Sequence, residues 1–206
     1  MVLMKQVLAV LAGLCLAVPA FAVRPRVDVV TTERAALTAG GQVHVEDSTG
    51  SVNIIGWDEP DVEIVATRYT FPTDSKEKAT ERLKRIQVTV TGGGSGEVTI
   101  ATKKPYLRGA YIDYRIMVPR SARLLIRHHT GDVVITKVEG DIDAKAGKGD
   151  IFVQLPEPAQ YMIHAKSRLG GVYSGFEGAP APATGPAHKI DLRIGVGGIT
   201  IQRLDV

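Results

Sequence analysis

The chain has 206 residues, 23% charged and only 5% aromatic, with 25 Lys and Arg against 22 Asp and Glu and a formal charge of +3. So small a positive excess makes no electrostatic case for nucleic acid or an anionic membrane surface, and so few rings leave little for base or sugar stacking. A single cysteine, Cys15, allows no internal disulfide, so stability has to come from packing and ladder hydrogen bonds.

The chain opens with Lys5, an apolar run from Val7 to Val18, Pro19 and the small-residue site Ala20-Phe21-Ala22, the pattern of an export signal over residues 1–22. The run is shorter than the roughly 20 apolar residues that cross a bilayer. Leu14 is bulky where a lipoprotein-type site before Cys15 needs a small residue, so cleavage is expected after Ala22. It removes Lys5 and Cys15 and takes the balance from +3 to +2. Residues 23–206 then form a single exported domain with no transmembrane segment and no disulfide.

Val27, Val29, Thr31 and Thr32 suggest an early extended segment. Gln42 to Val45 alternates, Asp47 to Gly50 turns, and Ser51 to Ile54 runs out as a strand. After the turn Gly56 to Pro60, Val62, Ile64 and Ala66 share one face of a strand and Glu63, Val65 and Thr67 the other. Asp74, with Glu77 three residues on, predicts a capping box and a short helix carried by Ala79, Leu83 and Ile86. Its charged face of Lys76, Lys78, Glu81, Arg82, Lys84 and Arg85 is expected to be solvated. Val88 and Val90 then pair with Val98 and Ile100 across Gly92–Gly96 as a hairpin. That glycine run lacks the following Lys-Ser or Lys-Thr of a phosphate loop and opens onto a strand. Ile112, Tyr114, Ile116 and Val118 alternate up to Pro119, which ends a ladder.

From Arg123 to Leu155, Gly-Asp recurs at residues 131, 140 and 149, a repeat of nine residues. Val133 and Ile135, Ile142 and Ala144, and Ile151 and Val153 each predict a short strand with its apolar pair on one side. Units this short bury their faces only by stacking on one another. Tyr161, Ile163 and Ala165 alternate beyond them, and Gly170-Gly171-Val172 and Gly197 to Ile201 repeat the turn-then-strand opening. Gly178 to Pro186, rich in Ala and Pro, is a loop by composition and is expected to project from the stack.

The corner carboxylates Asp132, Asp141 and Asp150, with Asp143 nearby, raise the question of an ion ladder. The calcium-binding nonapeptide repeat needs paired glycines and an intervening residue before its Asp, and those are missing. The expectation is that these Asp residues cap turns on a solvated edge. A polysaccharide-cleaving β-helix would need converging Asp and Arg, and the spacing of Arg123, Arg127 and Arg168 predicts no such site. His128 and His129 fall on opposite faces of a strand and cannot grip one metal together, while His44, His164 and His188 are scattered. Ser95 lies in no nucleophile elbow. Trp57 stands alone on a turn, where packing at the core edge is the simpler role.

The segments Gly50-Ser51-Val52-Asn53-Ile54, Gly56-Trp57-Asp58-Glu59-Pro60-Asp61-Val62 and Tyr114-Arg115-Ile116-Met117-Val118-Pro119, followed by the Gly-Asp-apolar repeats, together resemble the exported bacterial adhesin-type proteins of the DUF4097 family. The resemblance covers most of residues 23–206. It implies a β-solenoid-like domain, related to right-handed single-stranded β-helices, on the outer side of the cytoplasmic membrane. It carries over no catalytic or binding residue. The chain departs from the family's usual repeats at His128-His129, where smaller or β-branched residues are common, and in the Ala-Pro loop.

The expected fold is therefore all-β, a right-handed single-stranded β-helix or β-solenoid-like stack with an antiparallel N-terminal part and one short helix. The expected role is a non-enzymatic, periplasmic or cell-surface adhesin or structural module whose partner is an envelope protein or glycan. No catalytic, cofactor or metal residues are assigned. Two alternatives stay open. A carbohydrate-active β-helix enzyme would bring Asp and Arg from successive levels into one concave patch. A self-assembling scaffold would leave an apolar end of the stack uncovered, with the helix closing the other end.

Overall fold

A computed structural model describes residues 26–72, 75–94, 96–103, 109–156, 161–176 and 187–204. The expected signal of residues 1–22, Asp74, Ser95 and the Gly178–Pro186 run lie outside them. The elements in chain order are β1 (Val27–Ala36), β2 (Gln42–Thr49), β3 (Val52–Trp57), β4 (Asp61–Thr70), α1 (Lys76–Leu83), β5 (Gln87–Gly92), β6 (Glu97–Lys103), β7 (Ala110–Pro119) and β8 (Arg123–Thr130). They continue with β9 (Val133–Thr136), β10 (Ile142–Lys148), β11 (Ile151–Leu155), β12 (Tyr161–Leu169), β13 (Val172–Ser174), β14 (His188–Val196) and β15 (Ile199–Arg203).

The strands form two mixed sheets. One runs β1-β4-β7-β3-β9-β11-β15-β13, the other β12-β14-β10-β8-β2-β6-β5. Successive nine-residue units alternate between them. Ile151 therefore lies beside Val133 in the eight-stranded sheet, and Ile142 beside Leu124 in the seven-stranded one, both in parallel register. One level of the stack is two units, a strand in each sheet joined through a glycine corner. Strand alternation turns Leu124, Ile126, Ile142, Ala144, Ile190 and Leu192 of one sheet inward. Val133, Ile135, Ile151, Val153, Ile199 and Ile201 of the other are likewise buried in the same core.

The corners demand glycine for two reasons at once. Gly131 has φ 129° and Gly197 φ 132°, a region that side chains disfavour. A Cβ at Gly131 would also lie 1.7 Å from the Gly50 carbonyl oxygen, and one at Gly197 would lie 1.5 Å from that of Gly149. Each corner is thus packed directly on the backbone of the corner in the next level.

Three features sharpen or correct the sequence-based expectation. The levels do not stack in chain order: β14 and β15 lie between β10/β11 and β12/β13, which makes β12 and β13 the outermost strands. The early extended segment is a full ten-residue strand, β1, antiparallel to β4 over its whole length. The helix is capped by Ser75, whose hydroxyl accepts the Lys78 N–H at 3.4 Å, so Glu77 falls one position too early for a capping box.

The hairpin of β5 and β6 forms as expected, but its register is two residues from that of a Gly92–Gly96 loop: Val90 stands opposite Ile100, Val88 opposite Thr102 and Gly92 opposite Val98. Ile112, Tyr114, Ile116 and Val118 all face the core. Helix α1 buries Ala79 and Leu83 and packs on β1 and β4, closing the antiparallel end.

Candidate functional site

The corner carboxylates cap the backbone as expected, but of the neighbouring level rather than of their own turn. The Asp150 N–H donates to Asp132 Oδ1 at 3.0 Å and the Gly198 N–H donates to Asp150 Oδ1 at 2.7 Å. On the same edge the Ser51 N–H donates to Asp113 Oδ1 at 2.9 Å, and on the opposite edge the Lys189 N–H donates to Asp141 Oδ1 at 2.8 Å. A carboxylate is therefore placed where the next level presents an unpaired N–H. Among the described residues no group of three or more His, Cys, Asp or Glu is arranged to hold a metal ion.

His128 and His129 do face opposite ways. The His128 side chain is fully buried, in register with Asp47 on β2, and its Nδ1 lies 3.4 Å from Asp47 Oδ2. Neither side chain has a partner of hydrogen-bond geometry. Tyr114, whose hydroxyl is 2.7 Å from Thr102 Oγ1, completes this polar spot in the core. Burial pushes the Tyr114 phenol well above its usual range, and the Asp47 charge adds to that. This cluster was missed from sequence, because Asp47 and His128 meet only through the parallel pairing of β2 with β8.

The outer faces of the two sheets differ in chemistry. Along the eight-stranded sheet the exposed rows carry Tyr173, Thr200, Phe152, Val134 and Asn53, then Gln202, Gln154, Thr136 and Ile55, with no charge on β3, β9, β11, β13 or β15 in those rows. The seven-stranded sheet instead presents charges in lateral rows. One row holds His164, Asp191 and Asp143. The next holds Lys166, Arg193, Lys145 and Arg127 on β12, β14, β10 and β8, each in register with its neighbour.

Part of this face is a shallow cleft of about 240 Å³ lined by Arg123, Leu125, Asp141, Asp143, Lys189 and Asp191 among others. It does bring Asp and Arg side chains from successive levels together, which the spacing alone did not predict. The lining Arg123 donates to the Gly40 carbonyl at 3.1 Å, and two of the cleft's carboxylates are paired with arginines outside the lining: Arg127 Nη1 and Nη2 donate to Asp143 at 2.9 and 3.2 Å, and Arg193 Nη2 donates to Asp191 Oδ2 at 2.8 Å. Burial pushes the Asp143 carboxyl up, but the hydrogen bond and charge of Arg127 outweigh it and hold the group below the usual carboxylate range.

Trp57 is half-buried, and its indole N–H donates to the Asp61 carbonyl at 2.8 Å. It also borders a second hollow, of about 300 Å³, with Pro60, Pro119 and the Asp58–Arg120 ion pair.

The end of the stack at β12 and β13 is uncovered among the described residues. Tyr161, Ile163 and Ala165 belong to the inner face yet are only partly buried, and Met162, Leu169, Val172 and Tyr173 are exposed. No described helix is long and apolar enough to cross a membrane.

The fold recurs in a solved structure at low identity. A "putative cell adhesion protein" from Clostridium sporogenes matches with a TM-score of 0.54 and 13% identity, over 85% of this chain and 100% of its own. A "putative adhesin" from Parabacteroides merdae matches over 85% of this chain and 96% of its own, at 8% identity and a TM-score of 0.32 too low to carry weight. The first likeness is one of fold. No protein-family model and no curated protein matches the chain.

Proposed function

We propose that the chain is an exported, non-enzymatic binding module of the cell envelope, of adhesin type, released from its signal after Ala22 and built as a right-handed β-solenoid. The observation that carries this reading is the outer face of the seven-stranded sheet, where parallel strands set charged side chains out in lateral rows across neighbouring strands. A rigid sheet holding ordered side chains is suited to recognising an extended partner. The fold shared with the Clostridium sporogenes protein supports the reading.

The enzymatic alternative draws on the cleft that gathers Asp141, Asp143 and Asp191. A glycosidase keeps one carboxyl protonated to serve as its acid, and Arg127 drives Asp143 the other way. Self-association through the uncovered β12–β13 end is favoured by its exposed Met162, Leu169 and Tyr173, and exposed strand edges invite pairing.

The test is pull-down of the mature protein from envelope extract with glycan-array screening in parallel. Capture of an envelope component without turnover of any glycan supports the module. Release of reducing ends from a polysaccharide panel would favour the enzyme, and failure to bind in either screen would leave only a structural role. Monomer at high concentration in light scattering would remove the self-association reading.

A further inference from the structure

Resting on that reading, we infer that the seven-stranded sheet binds a linear acidic polysaccharide laid across its strands, along the row Lys166–Arg193–Lys145–Arg127. Strands in a sheet lie about 4.8 Å apart, so this row spans about 14 Å with one cation at each step. Like charges side by side in register oppose folding, and the sheet offsets only half of this row. Arg127 is paired with Asp143 and Arg193 with Asp191, while Lys145 and Lys166 form no ion pair among the described residues.

Two residues further along the strands lie Arg168 and His129, both exposed, at either side of Gly195 and Gly147. A Cβ on Gly195 would lie 2.5 Å from the Gly147 carbonyl oxygen, and one on Gly147 would lie 2.5 Å from that of His129, so backbone packing excludes side chains there. The result is a strip of bare backbone, open to polar hydroxyls, bordered by the cation row and by Arg168 and His129.

The surroundings select the occupant. Half-exposed Asp143 stands directly beside the cations and Glu46 on β2 follows Arg127 in their row, so a flat anionic bilayer would meet both signs at once, whereas a single narrow chain can follow the four cations alone. No Phe, Tyr or Trp side chain stands in either row to stack a base, which disfavours single-stranded nucleic acid. A carboxylate-bearing polysaccharide offers repeated anions and hydroxyls without rings that need a π-platform.

The test is titration of the mature protein with polygalacturonate at 25 to 200 mM salt, alongside a triple variant Lys145→Gln, Lys166→Gln, Arg168→Gln and a control of equal charge change on the helix, Lys76→Gln, Lys78→Gln, Lys84→Gln. All three proteins should melt alike. The parent and the helix control should bind equally. The row variant should bind about tenfold or more weakly at low salt, with the slope of log affinity against log salt shallower by about 2. Equal binding by the row variant, equal loss in the helix control, or tighter binding to oligo-dT or phosphatidylglycerol vesicles than to polygalacturonate would overturn the inference. Binding of a neutral glycan that survives in the row variant would overturn it too, yet leave the binding-module reading standing; no binding to any glycan or envelope component would overturn both.

Discussion

Replacing Asp47 and His128 separately and together tests how the core tolerates this buried Asp–His pair. Both side chains are wholly shielded, they approach only to 3.4 Å, and no other group satisfies Asp47 Oδ1 or His128 Nε2. Their attraction therefore has to offset the desolvation of two polar groups with no further hydrogen bonds, the situation in which a buried pair contributes little net stability. Removing one partner is another matter. Asp47→Val leaves an unpaired imidazole and His128→Leu an unpaired carboxylate, and each is expected to cost about 3–5 kcal/mol. The double variant removes both desolvation penalties and joins its new side chains to Ala146 and Ile194 in the same inner row. It should lie within about 1 kcal/mol of the parent or above it. Urea unfolding followed by the fluorescence of Trp57, the single tryptophan, gives all four free energies. Losses that simply add in the double variant would refute the coupling and with it the view that these two groups form one polar unit.

Other perturbations discriminate as sharply. Gly197→Ala, at φ 132° and with the Gly149 carbonyl oxygen in the way, should cost about 3 kcal/mol or more in thermal or urea unfolding, whereas Gly171→Ala, which meets nothing within 4 Å, should be neutral within about 0.5 kcal/mol. Asp150→Ala removes the acceptor of the Gly198 N–H and should cost about 1 kcal/mol, with faster hydrogen exchange at Gly198. For Asp143, the folded carboxyl lies below its unfolded value, so its contribution is present above the unfolded value and is lost as pH falls through the folded one. Arg127→Leu should raise the Asp143 pKa in a carbon-13 titration and flatten that acid limb.

Most strands could be read from the chain because each buries one face, and the alternation of Val133 and Ile135 or Ile151 and Val153 records that burial directly. The glycine corners were legible for the same reason: only glycine fits where one level rests on the next. The order of levels was not. Inner-face residues at the centres of β10 (Ile142, Ala144), β12 (Ile163, Ala165) and β14 (Ile190, Leu192) are similar small and branched apolar groups, so they do not distinguish the neighbour of β10 from the strand beyond it. The cation row was equally hidden. Arg127, Lys145, Lys166 and Arg193 stand at irregular sequence spacings and become a line only through the out-of-order placement of β14 between β10 and β12. The Asp47–His128 pair likewise exists only across a parallel ladder.

The most direct check on the central claim is an amide chemical-shift map of the mature protein titrated with oligogalacturonate. The account predicts shifts confined to β8, β10, β12 and β14 on the outer face of the seven-stranded sheet, strongest around Lys145, Lys166 and the Gly147–Gly195 strip. Shifts centred on the neutral face, on the Trp57 hollow or on the charged face of α1, or no shifts at all, would contradict it.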